Sequence, residues 1–295
     1  MHVPVLFEEV IEYLNPQPNE NFIDCTFGYG GHSLEIFKRI KPDGKILGIE
    51  WDAKTIEAVE AGNKKLEFGQ NLILVNDTYS NLKNIVEKNN FYPVNGILFD
   101  LGISSWDIEK SGRGFSFLRN ELLDMRFNEN NLLTAREIIN KWSEEKLADI
   151  FYQYGEERRA RAIARHIISA RKEKSIETTI DLAEIVKKAM PVRQRFGRIH
   201  PATRVFQALR IAVNDELGNL EAGLKDSLEI LALSGRIAVI SFHSLEDRIV
   251  KNFFRDKFKE GKLKILTKKP VIAGEEEVAR NPRSRSAKLR VAEKI

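Results

Sequence analysis

The stretch FIDCTFGYGGHSLEIF, Phe22–Phe37, decides the fold. Phe22–Phe27 has the composition of a short buried strand and Ser33–Ile40 the periodicity of a helix, which leaves Gly28, Gly30 and Gly31 in the turn between them. Glycine lets the backbone approach a ligand closely, and the start of the helix presents unpaired N–H groups to it. The next run, KILGIEWD, ends a second strand on Glu50, twenty-two residues after Gly28, where a carboxylate can hold ribose hydroxyls. A dinucleotide fold asks for G-x-G-x-x-G; this turn reads G-Y-G-G-H and follows an acid, Asp24, at the end of the first strand. The pattern favours S-adenosylmethionine over NAD, with a ligand-free structural turn as the third reading.

Strand-like runs recur at Lys45–Trp51, Asn71–Asp77 and Val94–Leu101, the rhythm of a parallel sheet with covering helices. From about Asp107 to Pro201 the sequence turns polar and helical. Thr134–Glu137 and Thr178–Asp181 have capping-box spacing, and Leu147, Ile150, Phe151 and Tyr154 repeat at helical intervals. One long helix over about Ala202–Leu233, a strand at Arg236–Phe242, a helix start at Ser244–Asp247 and two antiparallel edge strands, Lys262–Lys268 and Leu289–Lys294, complete the expectation. The predicted architecture is an α/β Rossmann-like sheet, residues 1–106 and 202–295, with an inserted helical domain, residues 107–201. In such sheets ligands sit outside the carboxyl ends of the strands. That brings Asp24–His32, Glu50, Asp52, Asp77–Tyr79, Asp100, His243 and Ser244 to one edge.

With 295 residues and 42% apolar content, the chain can fill a substantial core. It has no run of eighteen apolar residues, and MHVPVLFEEV lacks the basic-then-apolar pattern of a signal peptide, so a soluble cytoplasmic protein without a membrane partner is expected. Cys25 is the single cysteine and cannot form an internal disulfide; in the first strand it reads as buried. The histidines His2, His32, His166, His200 and His243 show no H-x-x-x-H pair, and no metal is expected. Net charge is only +4 but uneven: Pro191–Arg210 holds Arg193, Arg195, Arg198, Arg204 and Arg210 without an acid, and Arg280–Ile295 holds six basic residues against Glu293. Such runs either pair with phosphates or form a solvated face. Phe196, His200 and Phe206 either stack bases or belong to a core.

The segments HVPVLFEEV, DCTFGYGGHS, FDLGISS, RGFSF, LLDMRF, HPATRVFQALRIAVNDEL, VISFHSLEDRIVK and NPRSRSAKLR together closely resemble the MraW (RsmH) family of 16S rRNA cytosine-N4 methyltransferases, from His2 to the C-terminus. The resemblance implies a class I methyltransferase fold with a helical insert that uses S-adenosylmethionine to methylate one cytosine in the decoding region, on assembled small ribosomal subunits. Matched by motif, cofactor contacts fall on Gly30, Gly31, His32, Glu50, Tyr79, Asp100 and Asp107. The chain departs from the family at Glu50, where aspartate is common, at Trp106 and Asp107, where proline and glutamine are common, and at Leu122, commonly proline.

Methyl transfer from a sulfonium rests on alignment, because the leaving group is already activated. A residue accepting the N4–H of cytosine would localise density on that nitrogen, and Asp100 is one candidate; its alternative role is to bind the cofactor's ammonium group. His243 is a second candidate, as base or stacking ring, or else a buried cap of the fifth strand. Ser104 and Ser105 offer hydroxyls to the cytosine edge or close their own loop. Arg113, Arg193, Arg195, Arg198, Arg204, Arg283 and Arg285 are the expected phosphate ligands for a splayed-out base in folded RNA. A DNA amino methyltransferase is disfavoured by the lack of D-P-P-Y; an assembly module that merely retains a cofactor pocket is a further alternative.

Overall fold

The computed structural model describes residues 4–62, 67–103, 108, 111–195, 197 and 200–295. The chain divides into two compact units, Met1–Gly102 with Leu217–Ile295, and Ile103–Glu216.

The first unit is built on a seven-stranded sheet. Strands β1 (Phe22–Asp24), β2 (Ile46–Glu50), β3 (Leu72–Asn76), β4 (Val94–Asp100) and β5 (Leu231–Ser241) run parallel in the order β3-β2-β1-β4-β5. β7 (Lys288–Lys294) pairs antiparallel with β5, and β6 (Leu263–Ile265) antiparallel with β7 at the edge. The run VNGILF is nearly all apolar because β4 is covered on both faces, as central parallel strands are. Ile97 and Phe99 enter one core with Leu82, Leu224, Val239 and Phe254; Leu98 enters the other with Phe22, Ile36, Ile40 and Leu289. Helices α1 (Phe7–Leu14), α2 (Gly31–Ile40) and α3 (Ala53–Ala61) cover the second of these faces; α4 (Leu82–Lys88), α10 (Glu216–Ile230) and α11 (Ser244–Lys259) cover the first.

Boundaries differ from expectation where side chains take over from pattern. β1 stops at Asp24 instead of Phe27, because the Asp24 carboxylate accepts the Thr26 N–H at 3.1 Å and turns the chain. The expected helix 202–233 is two helices, α9 (Ala202–Asn214) and α10, separated at Asp215, whose φ of 46° is left-handed. β5 starts at Leu231, five residues earlier than read.

The second unit is helical, with α5 (Ala135–Lys141), α6 (Glu144–Gln153), α7 (Ala160–Glu173) and α8 (Thr179–Ala189) joined by α9. Thr134 and Thr178 cap α5 and α8 through the N–H groups of Glu137 and Asp181, as their spacing predicts, and Ser143 caps α6. The sequence partition had left α9 with the sheet. Its Val205, Phe206, Ala208 and Leu209 are instead buried in the helical core with Ile139, Phe151 and Ile163.

Arg210 donates to both oxygens of Glu216, at 2.7 and 2.9 Å, and both side chains are nearly enclosed. Glu216→Ala should therefore cost about 3–5 kcal/mol, because it takes the carboxylate away from a nearly enclosed guanidinium. Urea unfolding that gave less than ~1 kcal/mol would show the pair to be dispensable.

Candidate active site

The carboxyl edge of β1, β2, β4 and β5 gathers acids and a glycine turn within the first unit. Asp24 is buried; its Oδ2 accepts the Ser33 hydroxyl at 2.6 Å and its Oδ1 the Thr26 N–H, and burial raises its pKa. The turn is fixed by Phe27 N–H to Ile49 O at 3.0 Å and Gly30 N–H to Phe27 O at 2.7 Å. Gly28 (φ 52°) and Gly30 (φ 71°) are left-handed, a region that glycine enters without penalty. A Cβ on Gly28 would meet only Thr26 O, at 3.9 Å, so that position lies open to a ligand. One on Gly30 would lie 2.7 Å from Cζ of Phe27, whose ring is pressed from below by β2: a Cβ on Gly48 would lie 2.4 Å from its Cδ2. The Phe27 ring is thus the floor of the turn.

Glu50 ties that turn to β2. Its Oε2 accepts the Gly28 N–H and its Oε1 the Asp52 N–H, both at 2.9 Å, and a carboxylate has further lone pairs for a diol. After β3, Asp77 accepts from the N–H of Thr78 and the side chain of Asn81, and the half-buried Tyr79 ring packs edge-on against Phe99 at 5.4 Å.

Asp100 ends β4. Its N–H donates to Thr26 Oγ1 at 2.7 Å, and its Oδ2 lies 3.6 Å from Nδ1 of the buried His32. Although 27% of the side chain is exposed, Oδ1 is covered and accepts no hydrogen bond from the described residues. Burial first, then the negative charges of Asp24 and Glu246, push the Asp100 carboxyl up to about 8.

At β5 the expected helix signature shifts by one residue. His243 is the N-cap of α11: its Nδ1 accepts the Glu246 N–H at 3.4 Å, and Glu246 Oε2 accepts the N–H of Phe242 at 2.8 Å and of His243 at 3.1 Å. The ring's lone pair is spent on the helix, so the geometry gives His243 a capping role rather than that of a base. Glu246, a carboxylate facing Asp100, escaped the sequence reading; only its place three residues after His243 could have marked it. The segment Pro4–Leu6 lies within the motif HVPVLFEEV, but the sequence reading assigned it no place in the site. Val5 O lies 3.0 Å from His32 Nε2, Leu6 N–H donates to Glu277 at 2.8 Å, and a Cβ on Gly31 would strike Pro4 at 2.6 Å.

The expected phosphate ligands divide. In the second unit Arg193 and Arg204 are exposed, the latter 3.8 Å from Glu157. Arg195 instead closes the end of α8, donating to Met190 O at 2.9 Å and Lys188 O at 3.1 Å. Arg113 is buried; it donates to Phe127 O at 2.9 Å and lies over the Phe115 ring, so it braces a loop rather than reaching a phosphate. His200 stacks on Phe117 at 4.6 Å, and the buried Phe206 meets the same ring edge-on, which places both in the helical core instead of on a base. In the first unit Arg285 is exposed and Arg283 half-buried. Ser104, Ser105, Trp106, Asp107, Phe196 and Arg198 lie outside the described residues.

A glycine turn at a helix N-terminus, an acid after β2 and an orphaned acid after β4, on a sheet ordered 3-2-1-4-5-7-6, form the frame of a nucleoside-cofactor methyltransferase. The sequence matches the MraW methylase family over residues 1–295. The chain belongs to that family. It is 49% identical over 294 residues to the ribosomal RNA small subunit methyltransferase H of Crocosphaera subtropica, covering 100% of this chain and 89% of that protein. It is 46% identical over 309 residues to the protein of that name from Halothermothrix orenii, covering 100% and 98%. Its fold is an α/β, Rossmann-like sheet with helices on both faces, and its cofactor is S-adenosyl-L-methionine.

The residues fit that group. Glu50 is suited to its ribose diol, the open Gly28 and the α2 start to its approach, and the partly exposed Asp100 carboxylate to its ammonium.

Proposed function

We propose that the enzyme methylates the exocyclic N4 of one cytosine in the decoding region of 16S rRNA, in the cytoplasm and on the assembled small subunit. The full-length match to relatives named ribosomal RNA small subunit methyltransferase H carries this reading. When bound, the cofactor supplies a methyl carbon on a positively charged sulfur that leaves as a neutral thioether. The chain's own task is alignment in a site of low dielectric. Asp100 takes the cofactor's ammonium rather than the cytosine amine. Three neighbouring carboxylates, Asp24, Asp100 and Glu246, are relieved by a full cation and hardly at all by a neutral N–H. Glu50 takes the ribose, and Gly30, Gly31, His32 and Tyr79 shape the rest of the cofactor site. The attacking N4 loses one proton to solvent as its bond to carbon forms.

The helical unit is the substrate-recognition part, with Arg193 and Arg204 on phosphates that flank a splayed-out base, and Arg283 and Arg285 acting likewise from the first unit. Arg193→Ala with Arg204→Ala should weaken subunit binding and flatten the slope of log K against log salt by about 1.5, leaving cofactor affinity unchanged. An unaltered slope would make both arginines part of a solvated face.

The reaction itself is tested by transfer of labelled methyl to small subunits that lack the modification, followed by nucleoside mass spectrometry. N4-methylcytidine is the expected product. Label on another nucleoside, or on duplex DNA, would overturn the assignment.

A further inference from the structure

Among the described residues, the carboxyl edge of the first unit sets two acids and a histidine around Asp100. Asp24 comes from β1 and Glu246 from the start of α11, with His243 Nε2 3.1 Å from the Glu246 Oε1; His32 comes from α2. The only one of these that can supply Asp100 with a partner for a proton is His32. Its Nε2 lies 3.0 Å from the carbonyl of Val5, a group that only accepts, so Nε2 carries a hydrogen. The other ring nitrogen, Nδ1, faces Asp100 Oδ2 at 3.6 Å. On the other side Oδ1 is covered and accepts no hydrogen bond from the described residues. An ionised Asp100 would face the negative charges of Asp24 and Glu246; a protonated one can direct its O–H at His32.

We propose that Asp100 carries a proton in the cofactor-free enzyme, directed at His32 Nδ1, and that the α-ammonium group of S-adenosylmethionine expels it, so that cofactor capture releases one proton to solvent. This rests on the reading that Asp100 takes the ammonium. The exchange is balanced: the Asp100 O–H bond breaks, its electron pair stays on the carboxylate as partner of the incoming cation, and the proton leaves to water. The upward shift of the Asp100 carboxyl to about 8 agrees with this geometry. His32 acts here as a positioning residue, holding the proton where the cation will displace it.

The consequence is a bell in pH. Affinity rises about tenfold per unit from pH 6 toward 8, because less of Asp100 must be deprotonated, and falls above about 8, where the cofactor's own α-amino group, like α-amino groups in general, loses its charge. The bell is absent for 5′-methylthioadenosine, which keeps the nucleoside but has no ammonium.

Titration calorimetry of the full chain at pH 6.5, in two buffers of different ionisation enthalpy, counts the protons. Close to one proton released per S-adenosylmethionine, none with 5′-methylthioadenosine and none with Asp100→Asn is the expected result. Binding of S-adenosylmethionine with no proton released, or a Kd constant from pH 6 to 8, overturns the exchange while leaving the cofactor site standing. Equal release by 5′-methylthioadenosine overturns the role of the ammonium, and no binding of either nucleoside overturns the site itself.

Discussion

Asp100→Asn should weaken S-adenosylmethionine binding by about 100-fold or more and at the same time make the protein harder to unfold. The first effect follows from removing the charge opposite a desolvated cation, a change that ordinarily costs roughly 2–5 kcal/mol. The second follows from proton linkage. An unfolded aspartate titrates at about 3.9, whereas in the folded chain the Asp100 carboxyl is pushed up to about 8, so between these values the native state holds a proton that the unfolded state has lost. Stability contributed by that group is intact below about pH 4, declines as pH rises through the window and is fully lost above about 8. Asparagine never ionises and escapes the decline, so the variant should gain roughly 2–4 kcal/mol at pH 7 and nothing near pH 4. Thermal melts of both proteins at pH 4, 5.5, 7 and 8.5, without cofactor, test it. A constant difference between them would mean that Asp100 is already ionised in the empty site. A stability gain purchased by loss of binding is the pattern expected of a site that stores repulsion for its ligand to relieve.

Gly48→Ala should be the most damaging single methyl in the first unit that touches no ligand. Its Cβ would fall 2.4 Å from Cδ2 of Phe27 and 2.9 Å from Leu74, both in the same apolar core. Phe27 is held on its far side by Gly30, so the ring cannot retreat without lifting the turn that approaches the cofactor. The expected cost is about 1–3 kcal/mol of stability together with at least a tenfold loss of cofactor affinity. Phe27→Leu in the same chain should restore much of both, since a smaller side chain makes room for the methyl. Should the double variant bind no better than Gly48→Ala, the damage lies in β2 itself and the coupling between floor and turn is wrong.

The parts of the fold that were legible in the sequence are those where one physical requirement acts alone. Central strands read as apolar runs because both their faces are covered, and Thr134 and Thr178 announce helix starts because the unpaired N–H groups must be met nearby. Asp100 and Glu50 were legible because the end of a parallel strand is where a polar side chain meets a ligand. What the sequence concealed depends on contacts distant along the chain. Nothing local says that Arg195 will cap α8, that Arg113 will be enclosed by Phe115 and Phe127, or that His200 will lie on Phe117. An arginine looks the same in sequence whether its five donors go to carbonyls or to phosphates. The break between α9 and α10 was hidden for a different reason: Asp215 is an ordinary helix residue until its neighbour Asn214 is bound to Met125 O and Arg210 O.

The strand order carries a cost during synthesis. β4 lies between β1 and β5, yet β5 follows it only after the whole helical unit. While the intervening chain, roughly 130 residues, emerges from a ribosome over about ten seconds, the apolar run Val94–Asp100 waits as an unpaired edge. An exposed edge of that composition is a template for pairing with another nascent chain. An apolar central strand is therefore left exposed while the enzyme is being made, and chaperone demand should fall most steeply when β5 clears the exit tunnel.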